Sequence, residues 1–180
     1  MRFRNTACFL CVLIFIVPLV FTSVSAGTVV LVTGFEPFGV HAINPSQVIA
    51  ETLNGTIISD AEIIGIVLPV DFNRSVEEAR AAIDQYHPDV VLSLGLAARS
   101  RVVKVEKIAV NLKRFPRVDG TWSFPQRIEK NGSFFRVTAL DAGGIVWEMR
   151  HAGIPARQSF FAGTYICNSL FYALLGDVRE

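Results

Sequence analysis

Thr28-Val29-Val30-Leu31-Val32-Thr33, running into Gly34-Phe35-Glu36-Pro37-Phe38-Gly39, is the most informative stretch of this chain. Its first half is β-branched and continuously apolar, the pattern of a strand covered on both faces. Gly34 and Pro37 predict the end of that strand. The glycine-bounded loop is not a phosphate loop, because Val40-His41 stands where Lys-Ser/Thr is required, and its glycine spacing is wrong for a dinucleotide fingerprint. One reading of Phe35 and Phe38 is two plugs in a tight turn. The other is a turn that presents two rings to a flat, uncharged ligand.

Outward from this strand the pattern alternates. Pro45-Ser46 opens a helix to about Leu53, closed by Asn54-Gly55. Ala61 to Val67 reads as a second strand. Ser75 to Tyr86 reads as an amphipathic helix with Ser75 as its cap and Glu77 and Glu78 in its first turn. Asp89 to Leu94 is a third buried strand. Lys104 to Leu112 is predicted as one extended segment, although its apolar residues do not alternate strictly. Phe134 to Thr138 and Arg157 to Phe161 are predicted as short strands, Gly144 to Ala152 as a helix. Gly163 to Cys167 leads into a last helix to about Leu175. Strands alternating with helices predict a three-layer α/β/α sandwich around a mostly parallel twisted sheet. Sites in such sheets gather at loops beyond the carboxyl ends of strands. Gly34 to Gly39, Gly95 to Arg101 and Ala162 to Cys167 qualify.

At 180 residues and 51% hydrophobic, the chain is long enough for one domain with a sizeable core. A net charge of +1 makes no electrostatic case for nucleic acid or an anionic membrane surface. Met1 to Ala26 reads as a signal peptide: Arg2 and Arg4, an apolar run from Ala7 to Phe21, then Val24-Ser25-Ala26. An uncleaved membrane anchor is the alternative. Cleavage would leave a domain from Gly27 to Glu180, secreted or extracytoplasmic and free of the membrane. Loss of the two arginines would take its charge from +1 to −1. Cys8 and Cys11 would leave too, making Cys167 the one thiol, with no disulfide framework.

Cys167 falls at a strand-to-helix junction, where backbone N–H groups favour a thiolate and are predicted to lower its pKa. The competing reading is a small buried apolar residue. A reactive thiol needs a base and a group to orient it. Glu106 sits among Val103, Val105 and Ile108; it is either that orienting acid or a surface charge beside Lys104 or Lys107. His87 and His151 read as surface residues at helix ends. His41, after the Phe35–Phe38 loop, is the one histidine expected near the site.

Taken together, these blocks resemble the pyroglutamyl peptidase I family of cysteine peptidases. Gly34-Phe-Glu-Pro-Phe-Gly39 with Asn44-Pro45-Ser46 is similar to its opening block. Leu94-Gly95 with Glu106-Lys-Ile-Ala-Val-Asn111 is similar to its second, and Ala162-Gly-Thr-Tyr-Ile-Cys-Asn168 to its nucleophile block. The resemblance implies removal of an N-terminal pyroglutamyl residue from peptides, with no metal or nucleotide cofactor. It implies Cys167 as nucleophile, Glu106 as the acid of a Cys-His-Glu triad, and Phe35 and Phe38 as aromatics around the lactam ring. Tyr165 stands where the family often has phenylalanine. Arg114 matches an arginine near the oxyanion, one residue short of the family spacing. A homo-oligomer stays open.

Three departures follow. Ala97-Ala98-Arg99-Ser100-Arg101 displaces the family's glycine pair and arginine. Val118 to Gly132 does not follow the family closely. The family histidine comes about two dozen residues after the cysteine, in the manner of sequence-distant Cys/His pairs, whereas 13 residues follow Cys167 here. The expectation is therefore a fold lacking the family's last strand and helix, and a chain of little or no turnover. The rival reading is a relic or ligand-binding domain that keeps the fold; a nucleotide-binding domain is disfavoured by the missing phosphate loop. The family is usually cytoplasmic, which is the alternative to export.

Overall fold

The structure, a computed structural model, describes residues 27–177. The proposed signal segment lies outside the described residues. Twelve elements follow one another: β1 (Val29–Phe35), α1 (Pro45–Leu53), β2 (Ile57–Ile58), β3 (Ala61–Leu68), α2 (Arg74–Tyr86), β4 (Val90–Ser93), β5 (Val103–Glu106), β6 (Ile108–Val110), β7 (Phe135–Val137), α3 (Ala142–His151), β8 (Ala156–Ser159) and α4 (Ile166–Asp177).

The opening strand is central, as its unbroken apolar run requires. β1 pairs in parallel with β3 on one side and β4 on the other, in the order β2-β3-β1-β4. Alternate side chains of β1 serve two cores. Val32 packs with Ala50 of α1 and Ile63 of β3. Phe35, on the opposite face, packs with Leu68, Ala79 of α2 and Ile166, Leu170 and Leu174 of α4. Helices thus cover both faces, which gives the three layers. α1 lies so close that a Cβ on Gly34 would run into the Ser46 carbonyl, and one on Gly65 into that of Ala50.

Three expectations need correction. The single extended segment from Lys104 to Leu112 is two strands in two different sheets. β5 pairs in parallel with β8, while β6 pairs antiparallel with β7. Lys107 makes the transfer: its N–H donates to Ser159 O at 2.7 Å, and its carbonyl accepts from Thr138 N at 3.1 Å. The irregular spacing of Val105, Ile108 and Val110 is the trace of that change of sheet. The mostly parallel strands accordingly form a four-stranded sheet and two separate pairs. Ser75 does not cap α2; it is buried inside the helix. The Asp71 carboxylate accepts from the N–H groups of Asn73 and Arg74 instead, at 2.9 and 2.8 Å. Finally, α3 starts two residues earlier than the glycines suggest, because the Asp141 side chain accepts from Gly143 and Gly144.

Candidate active site

Parallel pairing puts the carboxyl ends of β1 and β4 on the same side of the sheet. The loops that follow them meet the segment leading into α4, so the three strand-end loops singled out in the sequence converge. Gly95, just after β4, lies against Cys167: a Cβ there would sit 2.6 Å from the Sγ. The ring of Phe38 stands 6.5 Å from that of Tyr165, and Tyr165 and Cys167 both pack on the cluster that contains Phe35.

The Asn44-Pro45-Ser46 block holds the first loop. Asn44 caps α1 by accepting from Ser46 N at 3.1 Å, and it also accepts from Ser46 Oγ at 2.8 Å. Its amide donates to Glu36 O at 3.0 Å, while Phe35 N donates to Ser46 Oγ at 3.0 Å. Both polar side chains are buried and hydrogen-bonded, so the Phe35–Phe38 turn is fastened at its start and beside Glu36. Phe35 is 3% exposed, a floor rather than an open wall; Phe38 is half-buried.

Cys167 is the second residue of α4. The next residue, Asn168, positions it. Asn168 accepts from Val110 N at 2.9 Å and donates to Val110 O and Leu112 O at 2.8 and 2.9 Å. This binds the start of α4 to β6, the strand that continues from Glu106 across Lys107. Asn111 extends the same framework. Its amide donates to Glu129 O and Gly132 O, and its oxygen accepts from Ile128 N and Glu129 N. Reading the motifs for chemistry passed over both asparagines. Their signal was present, since each closes a block that carries a candidate catalytic residue.

Glu106 ends β5, half-buried, with Oε2 fully enclosed and without a hydrogen-bond partner among the described residues. Its negative charge acts on Cys167. The lowered thiol pKa expected from the helix end is therefore overturned. Burial pushes the Cys167 thiol up, its own backbone N–H works the other way, and the Glu106 charge pushes it up again. Desolvation outweighs the first-turn N–H groups because the thiolate would lose more water than one or two N–H dipoles replace. Tyr165 is raised as well, by burial first and then by the Cys167 charge.

Arg114 reaches this region through its backbone, its N–H donating to Thr164 O at 2.7 Å. Its side-chain Nε donates to Ser123 O at 2.8 Å. Trp122, in the stretch that departs from the family, stands edge-on to Tyr165 at 5.5 Å; nothing in the sequence announced that contact. His41 packs on the Phe38 ring at 5.7 Å. His87 terminates α2 in the left-handed conformation, and His151 Nδ1 lies 2.9 Å from Trp147 O at the end of α3. Among the described residues, no histidine is hydrogen-bonded to Cys167 or Glu106.

Comparison with known proteins agrees with this arrangement. The sequence pattern of the family described as pyroglutamyl peptidase matches residues 28–179. The pyrrolidone-carboxylate peptidase of Bacillus velezensis is 36% identical over 153 residues, covering 84% of this chain and 71% of its own length. That of Thermococcus litoralis is 37% identical over 148 residues, covering 81% and 67%. The crystal structure of pyroglutamyl peptidase I from Bacillus amyloliquefaciens superposes with a TM-score of 0.80 at 35% identity, over 86% of this chain and 74% of the other. The pyrrolidone carboxyl peptidase of Thermococcus litoralis gives 0.78 at 36%, over 84% and 70%.

Proposed function

Since the chain belongs to the pyroglutamyl peptidase family, we propose that its site is built to release an N-terminal pyroglutamyl residue from peptides by thiol chemistry. Cys167 is the nucleophile and Glu106 the acid that orients the base. The carrying observation is the enclosed Oε2 of Glu106, without a partner among the described residues, and the action of that carboxylate's charge on the Cys167 thiol. A buried carboxylate oxygen without a partner is costly. An imidazole between the two groups would donate to the carboxylate and take the thiol proton, which resolves that cost and lowers the thiol pKa.

The steps then balance. The proton leaves Sγ for the imidazole, and Sγ bonds to the pyroglutamyl carbonyl carbon. The C–N bond to the next residue breaks, and the leaving amine takes the proton back. Water, deprotonated by the same imidazole, cleaves the thioester and frees the thiol. Phe38 and Tyr165, on a floor that includes Phe35, offer an apolar lining to the uncharged lactam. Arg114 is the candidate to neutralise developing oxyanion charge.

The raised thiol pKa, with no histidine among the described residues bonded to either group, favours a second reading, a binding domain of little turnover. Release of a fluorescent amine from a pyroglutamyl substrate, with circular dichroism to check folding, separates the two. We expect the folded 180-residue chain to be slower by about 10²–10⁴, the usual worth of general acid–base help, than a version extended to carry a histidine about two dozen residues after Cys167. Robust turnover by the unextended chain, abolished by Cys167→Ser, would assign the base to another group such as His41. We also propose export, on the pattern of Arg2, Arg4 and Val24-Ser25-Ala26; N-terminal sequencing from the native cell should find a mature chain starting at Gly27, and one starting at Met1 would refute it.

A further inference from the structure

The loop after Gly95 carries a feature that a neutral lactam does not require. A hollow of about 500 Å³ is lined by Ala97, Ala98, Ser100 and Val102 together with Arg99, Arg101, Lys104 and Arg157. Four of its lining side chains are cationic and none is acidic. Among the described residues, none of these four forms an ion pair or a side-chain hydrogen bond.

Two independent observations indicate a built arrangement. Lys104 on β5 and Arg157 on β8 are register partners in a parallel pair, so two cationic side chains leave adjacent positions of the sheet. Such a pairing is destabilising unless a counter-charge is supplied. Glu106 shares the strand face two residues on, yet it forms no ion pair with Lys104 and has its own enclosed oxygen without a partner. The loop itself is held: Ser100 N donates to Ala97 O at 2.8 Å, and Ser100 Oγ to Val102 O at 2.7 Å. That turn fixes the backbone between Arg99 and Arg101 on the rim of the hollow.

We propose that this hollow is a binding site for a phosphate-class oxyanion carrying two negative charges, the chemistry shared by inorganic phosphate and a simple phosphate ester. Planar guanidinium forks match the paired oxygens of such a group, and Lys104 adds a point charge. Bound anion would neutralise the Lys104–Arg157 repulsion. This would couple occupancy to the stability of the β5–β8 pair, and Glu106 ends β5.

The test is isothermal titration of the full chain at low ionic strength with sodium phosphate and, separately, glycerol 2-phosphate. Sodium chloride at matched ionic strength is the control, since rim charges respond to salt in general. Saturable one-site binding above the chloride control is expected, with a parallel rise in melting temperature. Arg157→Gln should weaken it by about tenfold or more, from loss of charge-assisted bonds. The unliganded variant should melt no lower than wild type, because a repulsion has been removed. Arg101→Gln, on the loop, should also weaken binding should Arg157→Gln fold poorly; Arg74→Gln, on α2, should not. Binding of the ester but not free phosphate would assign the site to phosphorylated metabolites or side chains, and the reverse to the free ion. Heats no greater than chloride, or equal affinity in wild type, Arg157→Gln and Arg101→Gln, would overturn the proposal.

Discussion

Residues 167 and 168 are neighbours in the chain and opposites in design. Asn168 is fully buried and each of its polar atoms is engaged with β6. Cys167 feels the charge of a carboxylate whose enclosed oxygen is engaged with nothing among the described residues. The same contrast separates the whole Asn111–Asn168 framework, where buried amides are satisfied, from the Cys167–Glu106 pair. Polar groups that hold a fold together gain by being saturated. Groups that must exchange a proton or form a bond have to keep capacity free, and local stability is lower for it.

The largest effect should come from breaking the saturated side. Asn168→Leu removes three hydrogen bonds and leaves Val110 N and Leu112 O without partners in a half-buried place, while Val110 O keeps the Leu112 N–H. At about 1–3 kcal/mol for each unsatisfied group, chemical denaturation should show a loss of about 2 kcal/mol or more. A loss under about 1 kcal/mol would mean that the framework is not what holds α4 to β6.

A smaller effect tests how closely α1 must approach the sheet. Gly65→Ala places a methyl group against the Ala50 carbonyl of α1. Overpacking of this kind costs about 1–3 kcal/mol. Urea unfolding with an unchanged midpoint would show that α1 can retreat freely.

The reactive side is tested by titration. Iodoacetamide labelling of Cys167 should have a midpoint above the ordinary thiol value of about 8.5, because burial and then Glu106 raise it. Glu106→Gln removes only the second cause, so the midpoint should fall while staying above that of a free thiol. No movement would separate Glu106 from the thiol electrostatically. The stability sign follows. A raised folded pKa contributes stability that is complete below the unfolded value and is lost as pH rises through the folded one. Wild type should therefore lose stability above about pH 8.5, and Cys167→Ser should lose less.

The smallest effect belongs to neither region. Arg74 and Glu78 form an exposed pair at 3.1 Å on α2. Arg74→Ala should shift stability by about 0.5 kcal/mol or less. A larger change in thermal melting would show that surface charge, and not the buried amides, carries the difference.

Much of this was legible in the chain itself. The unbroken apolar run of β1 marked a central strand, Asn44-Pro45 marked the start of α1, and three motif blocks marked the loops that converge. Each of these rests on a local rule: side-chain period, fixed proline geometry, or an asparagine bonding to nearby N–H groups. Ser75 misled because a good capping residue stood four positions after the better-placed Asp71, and capping depends on where the helix enters. Lys107 misled because a change of sheet partner needs no turn residue.

By itself, then, the sequence determined the alternating α/β order, the family and the positions of the thiol and the carboxylate. Those are properties of spacing and residue type, which short segments carry alone. Only the tertiary structure decided that Cys167 is raised rather than lowered, that Phe35 is floor and Phe38 wall, and that Lys104 meets Arg157. Each of these depends on a neighbour far away in the chain: desolvation by a distant core, a stack across two loops, a register between two strands. Burial and like-charge proximity are sums over such neighbours, and no local window contains them.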